Sequence, residues 1–222
     1  MRRLSKSRGF KPLVLAIVST FAIASAQAQD DASQSKPLVI AKQSYFFVGG
    51  AYHSFGGAQY VSGQAYVEYQ IPKKVKHTYP IVMIEGFGLT GTNFTGTPDG
   101  REGWAQFFLR EGYAVYVYDQ PGRGRAPWVA SAYGTIPQAT SGTASQNAFS
   151  APELLNLYPT AHLHTQWPGT GLIGDPIFDQ FAASTSPAIG DGLTYEALNQ
   201  KAGAELLDRI GPAILLGHSQ GG

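Results

Sequence analysis

The residues best suited to chemistry lie near the end of the chain, in "AILLGHSQGG". Gly217-His218-Ser219-Gln220-Gly221 has the pattern G-x-S-x-G. A serine so placed sits on a sharp turn between a strand and a helix, where its strained backbone lifts the hydroxyl above a sheet to attack a carbonyl. The flanking glycines are needed because the two backbones approach closely there. Attack on a carbonyl creates an oxyanion, which needs two hydrogen-bond donors. One is the N–H that follows the serine, that of Gln220. The other is expected from the loop after the third strand, "EGFGLTG", where the Phe87 amide is the first choice and that of Gly88 the second. Gly86, Gly88 and Gly91 let that loop fold back over the serine turn, and Gly86 and Gly88 are taken as binding positions. The alternatives are an ordinary serine in a glycine-rich turn and a plain strand-to-helix turn at residues 85–91.

Elements able to position these groups can be read along the chain. "KQSYFFVGG" and "AQYVSGQAYVEYQIP" read as two strands, together an antiparallel pair. "PIVMIEGFG" holds a short continuous apolar run, as in a strand buried on both faces of a parallel sheet. A helix is expected in "DGREGWAQFFLREG". Asp99 and Glu102 fit a capping box there, Trp104, Phe107 and Phe108 share one face, and Gly112 closes it. "YAVYVYDQPGRG" is another buried strand running into a loop. Residues 126–190 break this rhythm and read as a cap inserted into the core. "TYEALNQKAGAELLDRIGP" then forms a helix capped by Thr194, with Leu198, Ala202, Leu206, Leu207 and Ile210 on its apolar face. "AILL" is the strand that delivers the serine.

"IVMIEGFGLTG", "YAVYVYDQPGRG" and "AILLGHSQGG", in that order, resemble the third strand, fourth strand and nucleophile elbow of the α/β-hydrolase superfamily, above all its secreted bacterial esterases. The resemblance covers roughly residues 38–222. It implies an α/β fold: antiparallel N-terminal strands leading into a parallel sheet, with the cap at about 126–190. It also implies that Ser219 is the nucleophile, that the Phe87 and Gln220 amides form the oxyanion hole, and that the reaction is hydrolysis of a carboxylic ester through an acyl-enzyme. One departure is clear. Many relatives start the oxyanion loop with His-Gly, where this chain has Glu85-Gly86. Glu85 is expected to organise the loop through hydrogen bonds, with a direct role beside the nucleophile as the alternative.

The superfamily's triad runs Ser, acid, His along the chain. None of His53, His77, His162, His164 or His218 falls in the required place, and the His218 ring is expected to point away across the elbow. The acid and the histidine are therefore expected beyond Gly222. The chain is expected to be a piece of a longer protein, inactive and poorly stable on its own. Two rival functions remain: a non-catalytic binding protein on the same fold, and an acyltransferase or peptidase using the same machinery.

Composition narrows the rest. The 222 residues are 43% hydrophobic and carry a formal net charge of +1, which points to one core and away from nucleic acid. With no cysteine, disulfides, thiolate metal sites and a cysteine nucleophile are excluded. His162-Leu163-His164 lacks a third ligand at useful spacing, so no metal is expected, and no cofactor is implied. The first 28 residues read as a signal peptide: five basic residues, an apolar run of about fifteen, then Ala26-Gln27-Ala28. That run is shorter than the ~20 residues of a membrane span, so export to the periplasm or medium without a stable membrane anchor is expected. Residues 29–37 form a loose lead-in. Residues 126–187 hold no Lys or Arg but many aromatics, including Trp128, Tyr133, Phe149, Tyr158, Trp167, Phe178 and Phe181. A neutral, partly apolar ester substrate fits that lining, unless these rings only pack the cap onto the core.

Overall fold

The structure, a computed structural model, describes residues 37–222. The expected signal peptide and nearly all of the lead-in lie outside the described residues.

Two long strands come first, β1 (Ile40–Phe55) and β2 (Ala58–Pro72), paired antiparallel from Ile40↔Pro72 to Phe55↔Ala58. Strands β3 (Ile81–Ile84), β4 (Val115–Asp119) and β5 (Ile214–Gly217) complete a sheet of order β1-β2-β4-β3-β5. Strand β4 pairs antiparallel with β2 and parallel with β3, and β5 is parallel to β3 on its other side. The chain thus leaves β3 to one side, returns, and crosses to the other. Loops that leave the carboxyl ends of β3 and β5 are brought side by side, the arrangement that makes a binding crevice in open α/β sheets.

Helices cover both faces. Alternate residues of β3 point oppositely, so the four-residue run feeds two cores. Val82 packs with Val48, Ala65, Val67 and Tyr118 under Ala202 and Leu206 of α6 (Gly192–Ile210). Ile81 and Met83 pack with Phe94 of α1 (Thr92–Thr95), with Ala105 and Leu109 of α2 (Trp104–Arg110), and with Val115 and Val117. Each such aliphatic side chain contributes about 1.5–3 kcal/mol by leaving water. This double burial is why a short strand with no polar alternation is stable inside the sheet, between β4 and β5.

Three local expectations are corrected. Helix α2 starts at Gly103, where Gln106 Oε1 accepts from the Gly103 amide. Asp99 is instead held by Thr97 and Arg101, and Glu102 pairs with Arg110 at 2.6 Å. Its buried face carries Ala105 and Leu109 with Phe108 packed beside them, while Trp104 and Phe107 are exposed. The small Ala105 lets the helix sit close to the sheet, and rotation about that contact leaves the two large rings outside. In α6 the cap is Asp191, which accepts from the Thr194 amide, because the helix begins three residues earlier than the Thr194 reading allows.

Residues 126–190 fold as short segments: α3 (Ala130–Tyr133), α4 (Gly142–Ser145) followed by a π-turn, two 3₁₀ turns, and α5 (Pro176–Ala183). Asp175 caps α5 through the Ile177 and Phe178 amides. Two latches hold α3 to the β1–β2 hairpin. The Gly63 amide donates to Tyr133 Oη, and His53 Nε2 meets Ser131 Oγ at 2.8 Å.

Candidate active site

Ser219 lies two residues past the end of β5 and has φ 54°, one of two non-glycine residues with positive φ among those described. A left-handed serine in so short a turn is backbone strain of the kind stored at functional positions. The neighbouring glycines are required by space. A Cβ at Gly217 would lie 2.4 Å from Gly221 O, and one at Gly221 would lie 2.5 Å from Ile84 O. The turn therefore presses against the end of β3, and only hydrogen fits between the backbones. Ser219 itself is exposed, and no described group hydrogen-bonds its hydroxyl.

The β3 loop reaches the same spot. A Cβ at Gly86 would meet His218 Nδ1 at 2.7 Å and Ser219 Cβ at 3.1 Å. Gly86 is thus the floor on which the serine turn rests. The His218 ring does not point away from the site as expected, because it borders the same space above Gly86 as Ser219 Cβ. Gly88, at φ +68°, accepts from the Ser186 amide at 2.7 Å, which ties the loop to the end of the cap. Phe87 lies between them with its ring exposed. Among the described residues no acceptor takes the amide hydrogens of Phe87 or Gln220.

Beneath the loop is a buried polar cluster of which sequence reasoning named only Glu85. Glu85 is fully buried, and its Oε1 accepts from the Gln120 amide at 2.9 Å. The Gln120 side chain donates back to Glu85 O. Glu85 therefore braces the loop from inside the fold, in line with the expected hydrogen-bonding role. Burial pushes its carboxyl up to about 8, against the pull of the Gln120 amide and of Arg123, whose Nη1 is 4.0 Å away. Glu85 Oε2 has no partner, which makes the ionised form costly.

Arg123 and Gln120 were missed because "DQPGRG" reads only as a loop. Arg123 is 1% exposed, and its Nη1 donates to Gly86 O at 2.9 Å. Its Nη2 donates to Gln220 Oε1. The guanidinium lies over the Phe87 and Tyr195 rings, 5.7 and 5.3 Å from their centroids. Tyr195 Oη donates to Gln220 O at 3.2 Å. A second buried carboxylate, Asp119, accepts from the Gly91 amide at 2.7 Å and pairs with Arg125 at 2.9 Å, which anchors the far end of the loop.

Six aromatics of residues 126–190 fall into two groups. Phe149, Trp167 and Phe178 each make an edge contact with Phe181. Trp128 and Tyr133 instead line a cavity of about 260 Å³ that also borders Ile189 and Thr194. His162 and His164 take cap partners, Pro159 O and Glu153 at 3.0 Å respectively.

A sheet of order β1-β2-β4-β3-β5, helices on both faces and a strained G-x-S-x-G turn at the tip of β5 define an α/β-hydrolase-like fold. The chain is similar to a fungal protein named "Probable secreted lipase phiG" (Fungal sp., strain ATCC 74256), with 48% identity over 179 residues, 81% of this chain and 46% of the relative. It is also similar to the solved structure of a novel bacterial esterase, with TM-score 0.64 and 30% identity over 83% of this chain and 62% of that one. The chain thus spans about half the length of the curated relative. No family model matches it.

Proposed function

We propose that the protein is an exported carboxylic-ester hydrolase working through an acyl-enzyme on Ser219. The observation that carries this reading is the conjunction at the elbow. A serine held at φ 54° rests against Gly86, and the amides of Phe87 and Gln220 on either side are unspent. Ser219 Oγ attacks the ester carbonyl, and its proton passes to a general base. The Phe87 and Gln220 amides take the tetrahedral oxyanion, worth roughly a hundred- to a thousandfold each. The alcohol leaves with the proton, and water attacks the acyl carbonyl to regenerate the serine.

A neutral, partly apolar ester suits the aromatic-rich residues 126–187, which carry no Lys or Arg. Export is supported by the basic-apolar-small pattern of residues 1–28 and by the word "secreted" in the fungal relative's name. Among the described residues no helix is long and apolar enough to cross a membrane.

The test is Ser219→Ala in the full-length protein. Hydrolysis of a neutral aryl ester should fall by at least about a thousandfold, and labelling by a fluorophosphonate should vanish. Turnover unchanged by the substitution would remove the assignment.

A further inference from the structure

We propose that Arg123 is a positioning residue that aims both oxyanion donors at once; this deepens the hydrolase reading and rests on it. The argument begins with peptide geometry. In a planar trans peptide the C=O of one residue and the N–H of the next point in opposite directions. Holding Gly86 O therefore fixes the direction of the Phe87 N–H. Arg123 Nη1 holds that oxygen at 2.9 Å from a fully buried side chain. The same planar fork reaches with Nη2 to Gln220 Oε1 and so restrains the residue whose amide is the other donor. The two contacts join segments 37 and 97 residues from Arg123.

Three features suit the guanidinium to this task and a lysine poorly. Its donors are rigidly spaced, so two acceptors are set relative to each other. It lies over the faces of Phe87 and Tyr195, which hold the plane in place. It keeps its charge when buried, where an ammonium loses its proton more readily. A fixed positive charge behind the loop also favours the developing oxyanion, without contact with it.

The experiment compares Arg123→Met, Arg123→Lys and Ser219→Ala in the full-length protein. Readouts are kcat and KM on a neutral aryl ester, inhibition by a trifluoromethyl ketone, and the melting temperature. In Arg123→Met, kcat should fall about 10- to 100-fold, KM should stay within about threefold, and ketone affinity should fall in step with kcat/KM. Arg123→Lys should recover only a minor part of kcat. A folded Arg123→Met with kcat within about twofold of wild type overturns the proposal. If Arg123→Met does not fold, Gln220→Met keeps the main-chain amide and removes the side-chain carboxamide whose Oε1 accepts from Arg123. Its kcat should fall severalfold at an unchanged melting temperature, and an unchanged kcat overturns the proposal. Ser219→Ala separates the two readings. Residual wild-type turnover there sinks the hydrolase assignment and this inference with it, whereas an inactive Ser219→Ala beside a normal Arg123→Met sinks this inference alone.

Discussion

Replacing Glu85 by Gln should flatten the protein's stability between pH 5 and pH 8. Glu85 is a fully buried carboxyl whose second oxygen has no partner, and burial raises it from 4.5 to about 8. A carboxyl raised on folding keeps its proton in the native state while the unfolded chain gives it up. Its contribution is therefore fully present below pH 4.5 and is lost as pH climbs through 8. The gap corresponds to about 5 kcal/mol across that window. Gln keeps an oxygen for the Gln120 amide and cannot ionise, so Glu85→Gln loses this slope. The assay is urea unfolding of both proteins at half-unit pH steps, with the difference between their free energies plotted against pH. Other titrating groups cancel in that difference. It should change by several kcal/mol in favour of Glu85→Gln as pH rises from 5 to 8. Parallel curves for the two proteins would refute the reasoning, because Glu85 would then ionise alike in the folded and unfolded states.

Other substitutions probe the frame around the serine. Gly86→Ala places a methyl 2.7 Å from His218 Nδ1 and 3.1 Å from Ser219 Cβ, so kcat should fall at least about tenfold with a smaller change in melting temperature. Gly221→Ala drives a methyl to 2.5 Å from Ile84 O and should destabilise by about 1–3 kcal/mol, read by denaturant midpoint. Asp119→Ala leaves the Gly91 amide without its acceptor and Arg125 with Glu68 alone, and should destabilise by about 1–3 kcal/mol, measured the same way. Tyr133→Phe removes the acceptor of the Gly63 amide and should speed protease cleavage within residues 126–190, followed by gel, with little change in kcat.

What the sequence revealed was local, and what it hid was brought together by folding. Strand β3 was legible because four consecutive apolar residues fit burial on both faces, and the serine turn because two glycines at fixed offsets have a steric reason. The start of α2 was misplaced because Asp99 and Glu102 have the right chemistry for a cap but spend it on Thr97, Arg101 and Arg110. Arg123 carried no local signal at all. Its partners come from two other loops, and only the strand order that sets β5 beside β3 unites them.

The hydrogen bond from the Ser186 amide to Gly88 O links the last residues of the cap to the loop beside the serine. The cap and the donor loop are thus one mechanical piece at that point. If the cap swung wide about its far end, this link would pull Gly88 outward and drag the Phe87 amide off its aim. On the proposed reading, a shift of the segment at Ser186 would thus be felt at the Phe87 donor.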